Sequence, residues 1–147
     1  MEVFIGREIK KTHNLLHRLF DAKMKVDSEE DLTFMDRQIC RYLFENSNRF
    51  VYQRDIEKKF SIRRSSASTQ LGKMQSKGLI ERYGDNNDKR LKRIVLTDKA
   101  KESLTSSLKV LQKTEAQVVE GLSEEEKDCF LKTLDKIQQN ILGLLES

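Results

Sequence analysis

The chain contains no proline and no tryptophan, and it has six glycines and two cysteines in 147 residues. Without proline, helices need not be interrupted, and scarce glycine leaves few tight turns, so the composition points to a mainly helical protein. Two cysteines, Cys40 and Cys129, cannot build a disulfide framework, and neither stands in a Cys/His spacing that suits zinc. Both are expected to be buried and inert. Long apolar runs are also missing, since the opening MEVFIGREIKKTHNLLHRLF carries charges throughout. Neither a signal peptide nor a transmembrane segment is therefore expected, which implies a cytoplasmic protein with no membrane partner. No phosphate-cradling glycine loop is present, nor a Ser-His-acid or Cys-His order in motif context, so no enzyme is expected. His13 and His17 lie one helical turn apart, but no carboxylate or thiol clearly completes a ligand set. They are read as surface or dimer-interface histidines, with no metal and no cofactor.

What the chain does have is charge, unevenly placed. Charged residues make up 35% and hydrophobic residues 37%, a balance suited to one domain over residues 1–147. The net charge is +4, yet the stretch 54–93 holds twelve Lys/Arg against five Asp/Glu, which leaves the rest of the chain net negative. A segregated basic module suits phosphate, because neutralising phosphates releases condensed counterions. A solvated basic surface with no partner is the alternative that charge alone leaves open.

Hydrophobic spacing divides the chain. Residues 3–24 predict an amphipathic helix through Ile5, Ile9, Leu16, Leu19 and Phe20, covering either a monomer core or a second subunit. A polar linker, Lys25 to Asp31, follows. Thr33-Phe34-Met35-Asp36 is a Thr-x-x-acid helix start, with Met35, Ile39, Tyr42 and Leu43 turned inward. Arg49 to Val51 suit a short edge strand and Gln53 to Lys59 a brief helix with Ile56 and Phe60 facing the core. Only Ser61 and Ile62 then precede the next helix, short enough for a helix-turn-helix. That next helix, Arg64 to Lys77, repeats Ala67, Leu71 and Met74 at i, i+4 and i+7 and carries no acid. At about 100° per residue, Ser65, Ser66, Thr69 and Lys73 fall opposite this stripe, with Ser68, Gln70 and Lys77 on its flanks. Gly78 suits a left-handed cap. Leu79 to Tyr83 and Arg93 to Leu96 read as a hairpin whose tip, Gly84 to Asp88, leads into Lys89, Arg90, Lys92 and Arg93. Thr97 fits the N-cap of a long helix ending at Gly121. Ser123-Glu124-Glu125-Glu126 opens a last helix with Phe130, Leu134, Ile137, Ile141 and Leu145 at helical spacing.

A cationic helix beside a cationic hairpin suits duplex DNA, since a helix fits the major groove and a thin basic arm the minor groove. On the helix the candidates are Ser65, Ser66, Ser68, Thr69, Gln70 and Lys73, with Arg63 and Arg64 near its positive end. Serine and threonine accept several base partners, so no operator sequence follows from them.

The run Ile62-Arg63-Arg64-Ser65-Ser66-Ala67, the step Lys77-Gly78-Leu79-Ile80, the spacing Asp85-x-x-Asp88-x-Arg90 and the closing Leu96-Thr97 resemble the winged helix-turn-helix of the multiple antibiotic resistance regulator (MarR) family. The resemblance covers the chain nearly end to end; Ala100 stands where family members often carry glycine. It implies a mainly α winged-helix fold, with about six helices and a small β-hairpin wing. Residues 32–97 would form the DNA-binding lobe, and residues 1–26 and 98–147 a helical dimerisation region from both termini. It further implies a homodimeric transcription regulator, most naturally a repressor, on a pseudo-palindromic double-stranded operator. A small anionic or phenolic effector would bind where the dimerisation helices meet the lobe. By the same resemblance the wing residues that meet DNA are Asp88, Lys89, Arg90 and Lys92, with Asp88 holding the loop that aims Arg90 at the minor groove. Two other readings stand beside this one: a winged-helix module whose basic face takes an acidic protein, and a thiol-switched regulator using Cys40, which lies near Arg37 and Arg41. The expected effect of Arg90→Ala is weaker operator binding with a salt slope shallower by about one unit, checked by a salt titration of duplex affinity.

Overall fold

The computed structural model describes residues 2–25, 32–84, 87–88 and 91–147. In chain order these form α1 (Ile5–Lys25), α2 (Phe34–Glu45), β1 (Val51–Tyr52), α3 (Gln53–Phe60), α4 (Arg64–Ser76), β2 (Ile80–Gly84), β3 (Lys92–Leu96), α5 (Asp98–Val118) and α6 (Glu124–Glu146). The fold is thus the expected winged helix: six helices and a small antiparallel sheet. The sheet has the strand order β1-β3-β2. β2 and β3 pair from Ile80 opposite Leu96 to Gly84 opposite Lys92, and β1 adds Val51 opposite Ile94. The linker expected over residues 25–31 lies, beyond Lys25, outside the described residues, as do Asp85, Asn86, Lys89 and Arg90 of the hairpin tip.

The helix starts follow from local chemistry. In α2 the Thr33 Oγ1 accepts from the Asp36 N–H at 3.1 Å and the Asp36 carboxylate accepts from the Thr33 N–H at 2.9 Å, so two otherwise orphaned donors are satisfied reciprocally. α6 repeats this with Ser123 and Glu126, at 2.8 and 3.1 Å. The α3 entry uses Asp55, whose carboxylate accepts from the Tyr52 N–H at 2.8 Å. α3 ends at Ser61, held at φ 50°, the left-handed region that costs a side chain energy. This is the tight turn of the helix-turn-helix.

The chain divides into two compact units, Met1–Gln112 and Lys113–Ser147. In the first, Ile39 and Leu43 of α2, Ile56 of α3, Leu71 and Met74 of α4, and Ile80, Ile94 and Leu96 of the sheet bury together. Each such side chain contributes about 1.5–3 kcal/mol when removed from water. Cys40 sits in this core, 4% exposed, as expected. A second cluster joins α1 to α2: Phe20 and Met24 pack with Leu111, and the Phe34 ring lies 5.7 Å from that of Phe20 and 5.1 Å from that of His17. His17 also faces Asp21 at 3.2 Å. Toward its start α1 is open, with Val3, Phe4, Ile5 and Ile9 exposed. The second unit is helical, and α6 buries none of its residues. Cys129, expected to be buried, is exposed, because it lies on that uncovered helix.

Two hydrogen bonds tie the end of α4 to the start of α5. The Thr97 Oγ1 donates to the Gly78 carbonyl at 2.6 Å and accepts from the Ala100 N–H at 3.2 Å, capping α5 while gripping the turn after α4. Gly78 needs its φ of 74°, so Gly78→Ala is expected to lower stability by about 1–2 kcal/mol. Gly72, inside α4, needs no such freedom. A methyl group added there meets Arg82 Nη2 at 3.8 Å, an ordinary contact. Gly72→Ala is expected to raise stability by about 0.5–1 kcal/mol through helix propensity. Urea unfolding of the two variants checks both signs.

Candidate nucleic-acid interface

α4 buries a narrow stripe. Ala67, Leu71 and Met74 are all 0% exposed, while Arg64, Ser65, Ser66, Ser68, Thr69 and Lys73 are open to solvent. The periodicity of the sequence thus separates the two faces as expected. Among the described residues, none of Ser65, Ser66, Ser68, Thr69 or Lys73 is engaged in a side-chain hydrogen bond or ion pair, so their polar groups are available to an outside partner. The helix has no acid in its first turn, and its N-cap, Arg63, is extended and provides no side-chain cap. The backbone N–H groups there are therefore exposed beside Arg63 and Arg64, where the helix dipole favours an anion.

Gln70 differs from the expectation that it faces DNA. Its carboxamide Nε2 donates to Asp36 Oδ1 at 2.6 Å, so this side chain is turned toward α2. Lys77, also expected on a flank, donates from Nζ to Asp36 Oδ2 at 2.7 Å. The angular position of both residues was legible in the sequence; the acid 34 or 41 residues away that claims them was not. One signal existed: Asp36 stands at i, i+3 and i+7 with Ile39 and Leu43, on the apolar face of α2, where a charge demands partners.

The wing strands lie alongside. Arg82 of β2 donates from Nε to Gln75 Oε1 of α4 at 2.9 Å, clasping the hairpin to the C-terminal half of the helix. Sequence reasoning did not single out this pair. On the outer side of β2 the Tyr83 hydroxyl donates to the Glu81 carboxylate; that hydrogen bond, with the nearby negative charge, holds the phenol above its ordinary pKa. Beside the start of β3, a cleft of about 270 Å³ is lined by Arg54 and Glu57 of α3, Arg64 and Ser68 of α4, and Lys92 of β3. Three expected contact residues, Arg64, Ser68 and Lys92, are thereby brought to one place. Asp88 is half-buried, and its carbonyl accepts from the Leu91 N–H at 3.0 Å, turning the chain back into β3. Lys89 and Arg90, with the expected minor-groove contact, lie outside the described residues.

Comparison with known proteins agrees with this geometry. The MarR family model matches residues 31–91. The transcription regulator MarR from Oenococcus oeni PSU-1 is 34% identical, with 92% of this chain and 99% of that one covered and a TM-score of 0.79. S. aureus MepR, in its complex with DNA, shares the fold at 24% identity, covering 95% of this chain and 99% of its own, with a TM-score of 0.84. The heme sensor protein PefR from Streptococcus agalactiae, in complex with heme, shares it at 22% identity, 95% and 95% coverage and a TM-score of 0.63. With a third of its residues identical to the Oenococcus oeni regulator over nearly the full length of both, and with the helix, wing and cap described above, this chain belongs to the MarR family of winged-helix transcription regulators.

Proposed function

We infer that the protein is a homodimeric, ligand-responsive repressor that reads a pseudo-palindromic operator, one lobe of residues 32–97 per half-site. The observation that carries this reading is α4 itself, whose outward face is acid-free and whose Ser65, Ser66, Ser68 and Thr69 hydroxyls and Lys73 are unengaged within the described chain. In the major groove, Ser65, Ser66, Ser68, Thr69 and Lys73 would meet base edges or phosphates, with Arg63 and Arg64 against phosphate at the helix start. Gln70 is left out, since it is held by Asp36. The wing, with Asp88, Lys89, Arg90 and Lys92, would follow the adjacent minor groove, where an arginine profits from the enhanced phosphate potential. The MepR structure with DNA supports duplex DNA as the ligand of such a lobe.

The dimer reading rests on uncovered apolar surface. α6 exposes Phe130, Leu131, Ile141, Leu142, Leu144 and Leu145, and an apolar stripe of that length in a water-soluble regulator calls for a partner. A second copy of the chain supplies one, through residues 1–26 and 98–147. Two-fold symmetry then sets half-sites about one helical turn, ~10 bp, apart, and a dimer seated across them occludes a promoter. An effector, small and anionic or phenolic by family resemblance, would act through different affinities for operator-competent and incompetent dimers. The heme complex of PefR supports small-molecule control on this fold. No observation favours the acidic-protein reading. The thiol reading loses ground because the Cys40 sulfur is in the core.

Fluorescence anisotropy on labelled duplex from upstream of the protein's own gene, against scrambled duplex, is the direct test. Specific regulation is expected to appear as a preference of ~10³ or more with a steep salt slope. Equal weak binding to that duplex and to a genomic fragment library would refute the reading. Lys73→Ala is expected to weaken binding and to reduce the salt slope by about one. Ile141→Glu is expected to shift sedimentation toward the 17.2 kDa monomer and to abolish high-affinity operator binding while leaving the helical circular dichroism in place.

A further inference from the structure

α4 is an awkward helix to hold still. Its apolar stripe is three residues long and one wide, and a stripe so narrow lets a helix roll about its axis at little cost. Roll matters to a helix that reads a groove, because a turn of a few degrees carries every outward side chain past the base edges.

One carboxylate opposes that roll. Asp36 is 1% exposed and receives three hydrogen bonds: from the Thr33 N–H at 2.9 Å, from Gln70 Nε2 at 2.6 Å and from Lys77 Nζ at 2.7 Å. The first anchors the carboxylate to the start of its own helix, α2. The other two come from Gln70 on α4 and from Lys77, which caps its C-terminal end, seven positions apart and about 10 Å along the axis at 1.5 Å per residue. They use different oxygens, Oδ1 for Gln70 and Oδ2 for Lys77, so the carboxylate spans both contacts. Two contacts two turns apart on one flank fix rotation as well as position, which neither could do alone. Burial makes the arrangement stiff, because a charge shielded from water holds its donors in a low-dielectric setting where leaving any of them unpaired is costly.

We propose that Asp36 is the positioning residue of the recognition helix: its buried carboxylate, gripping Gln70 and Lys77, sets the roll of α4 and through it the operator preference. This rests on the reading of α4 as the DNA-reading helix. Asp36 itself touches no DNA. It acts through the angle at which Ser65, Ser66, Ser68, Thr69 and Lys73 are presented.

Three variants of the full-length chain test it. Asp36→Asn leaves one oxygen for both the Thr33 N–H and Lys77 Nζ but removes the charge that holds Lys77, and its new amide donor faces Gln70, whose carboxamide must turn over to accept it. Lys77→Met, at a side chain 30% exposed, removes one grip more gently and stands in should Asp36→Asn fail to fold. Asp36→Asn with Lys77→Gln restores a neutral donor–acceptor pair. The expected result is that each single variant reduces the preference for operator over scrambled duplex by about tenfold, the worth of one base contact. The double variant should recover most of it. Affinity of Asp36→Asn for scrambled duplex should hold or rise, since the change removes a negative charge. An unchanged preference would overturn the proposal. So would a parallel loss on both duplexes that tracks the folded fraction by circular dichroism, which is the mark of general destabilisation. Hydrogen exchange supplies an arm that needs no DNA. In Asp36→Asn the α4 amides should exchange about tenfold faster while those of β3 keep their protection. Unchanged α4 protection would remove the positioning role. A wild-type protein with no preference for any duplex, but with this exchange pattern, would defeat the DNA reading and leave the role of Asp36 standing.

Discussion

A helix that must offer most of its circumference to an outside partner can bury little of itself. α4 buries Ala67, Leu71 and Met74 and gains a few kcal/mol from doing so, less than a helix packed on both sides would. The rest of the lobe compensates at the margins. Gly78 and Thr97 fasten its C-terminal end, Arg82 clasps its last turns through Gln75, and Gln70 and Lys77 reach across to α2. The turn before it is closed by Ser61 in a conformation that glycine would adopt more cheaply. Each of these is a short, directional contact where a wider apolar face would otherwise serve.

α2 has a corresponding double allegiance. In its first turn Phe34 joins the aromatic cluster with Phe20 and His17 of α1, while Asp36, two residues on, belongs to α4. The same turn is capped by Thr33. A helix start is rigid when its orphan donors are satisfied, and here the satisfied start also carries the contacts to both neighbours.

Much of this was legible in the chain, and the legible parts share a cause. The Thr33 and Ser123 helix starts, the Gly78 cap and the hairpin strands depend on residues a few positions apart, and local chemistry writes itself into local spacing. The open face of α4 was equally plain from its 3.6-residue period. The bond from Gln70 to Asp36 was not legible because a period gives an angle and not a partner. Arg82 with Gln75 was overlooked because it joins a strand to a helix. Cys129 was expected to be buried on the strength of its residue type, whereas its burial depends on what covers α6. Periodicity cannot distinguish a face that meets the chain's own core from one that waits for a second chain.

The division of labour on α4 also bears on how such a regulator changes over time. Ser65, Ser66, Ser68, Thr69 and Lys73 hold nothing together among the described residues, and the contacts that seat the helix come from its flanks and its end. Substitutions on the outward face are therefore nearly free of stability cost, in the range of ordinary surface changes. Under the proposed reading of α4, recognition and architecture can drift separately: a lineage would acquire a new operator by altering five side chains while inheriting the scaffold intact, and the flanking polar residues are the ones that selection has reason to keep.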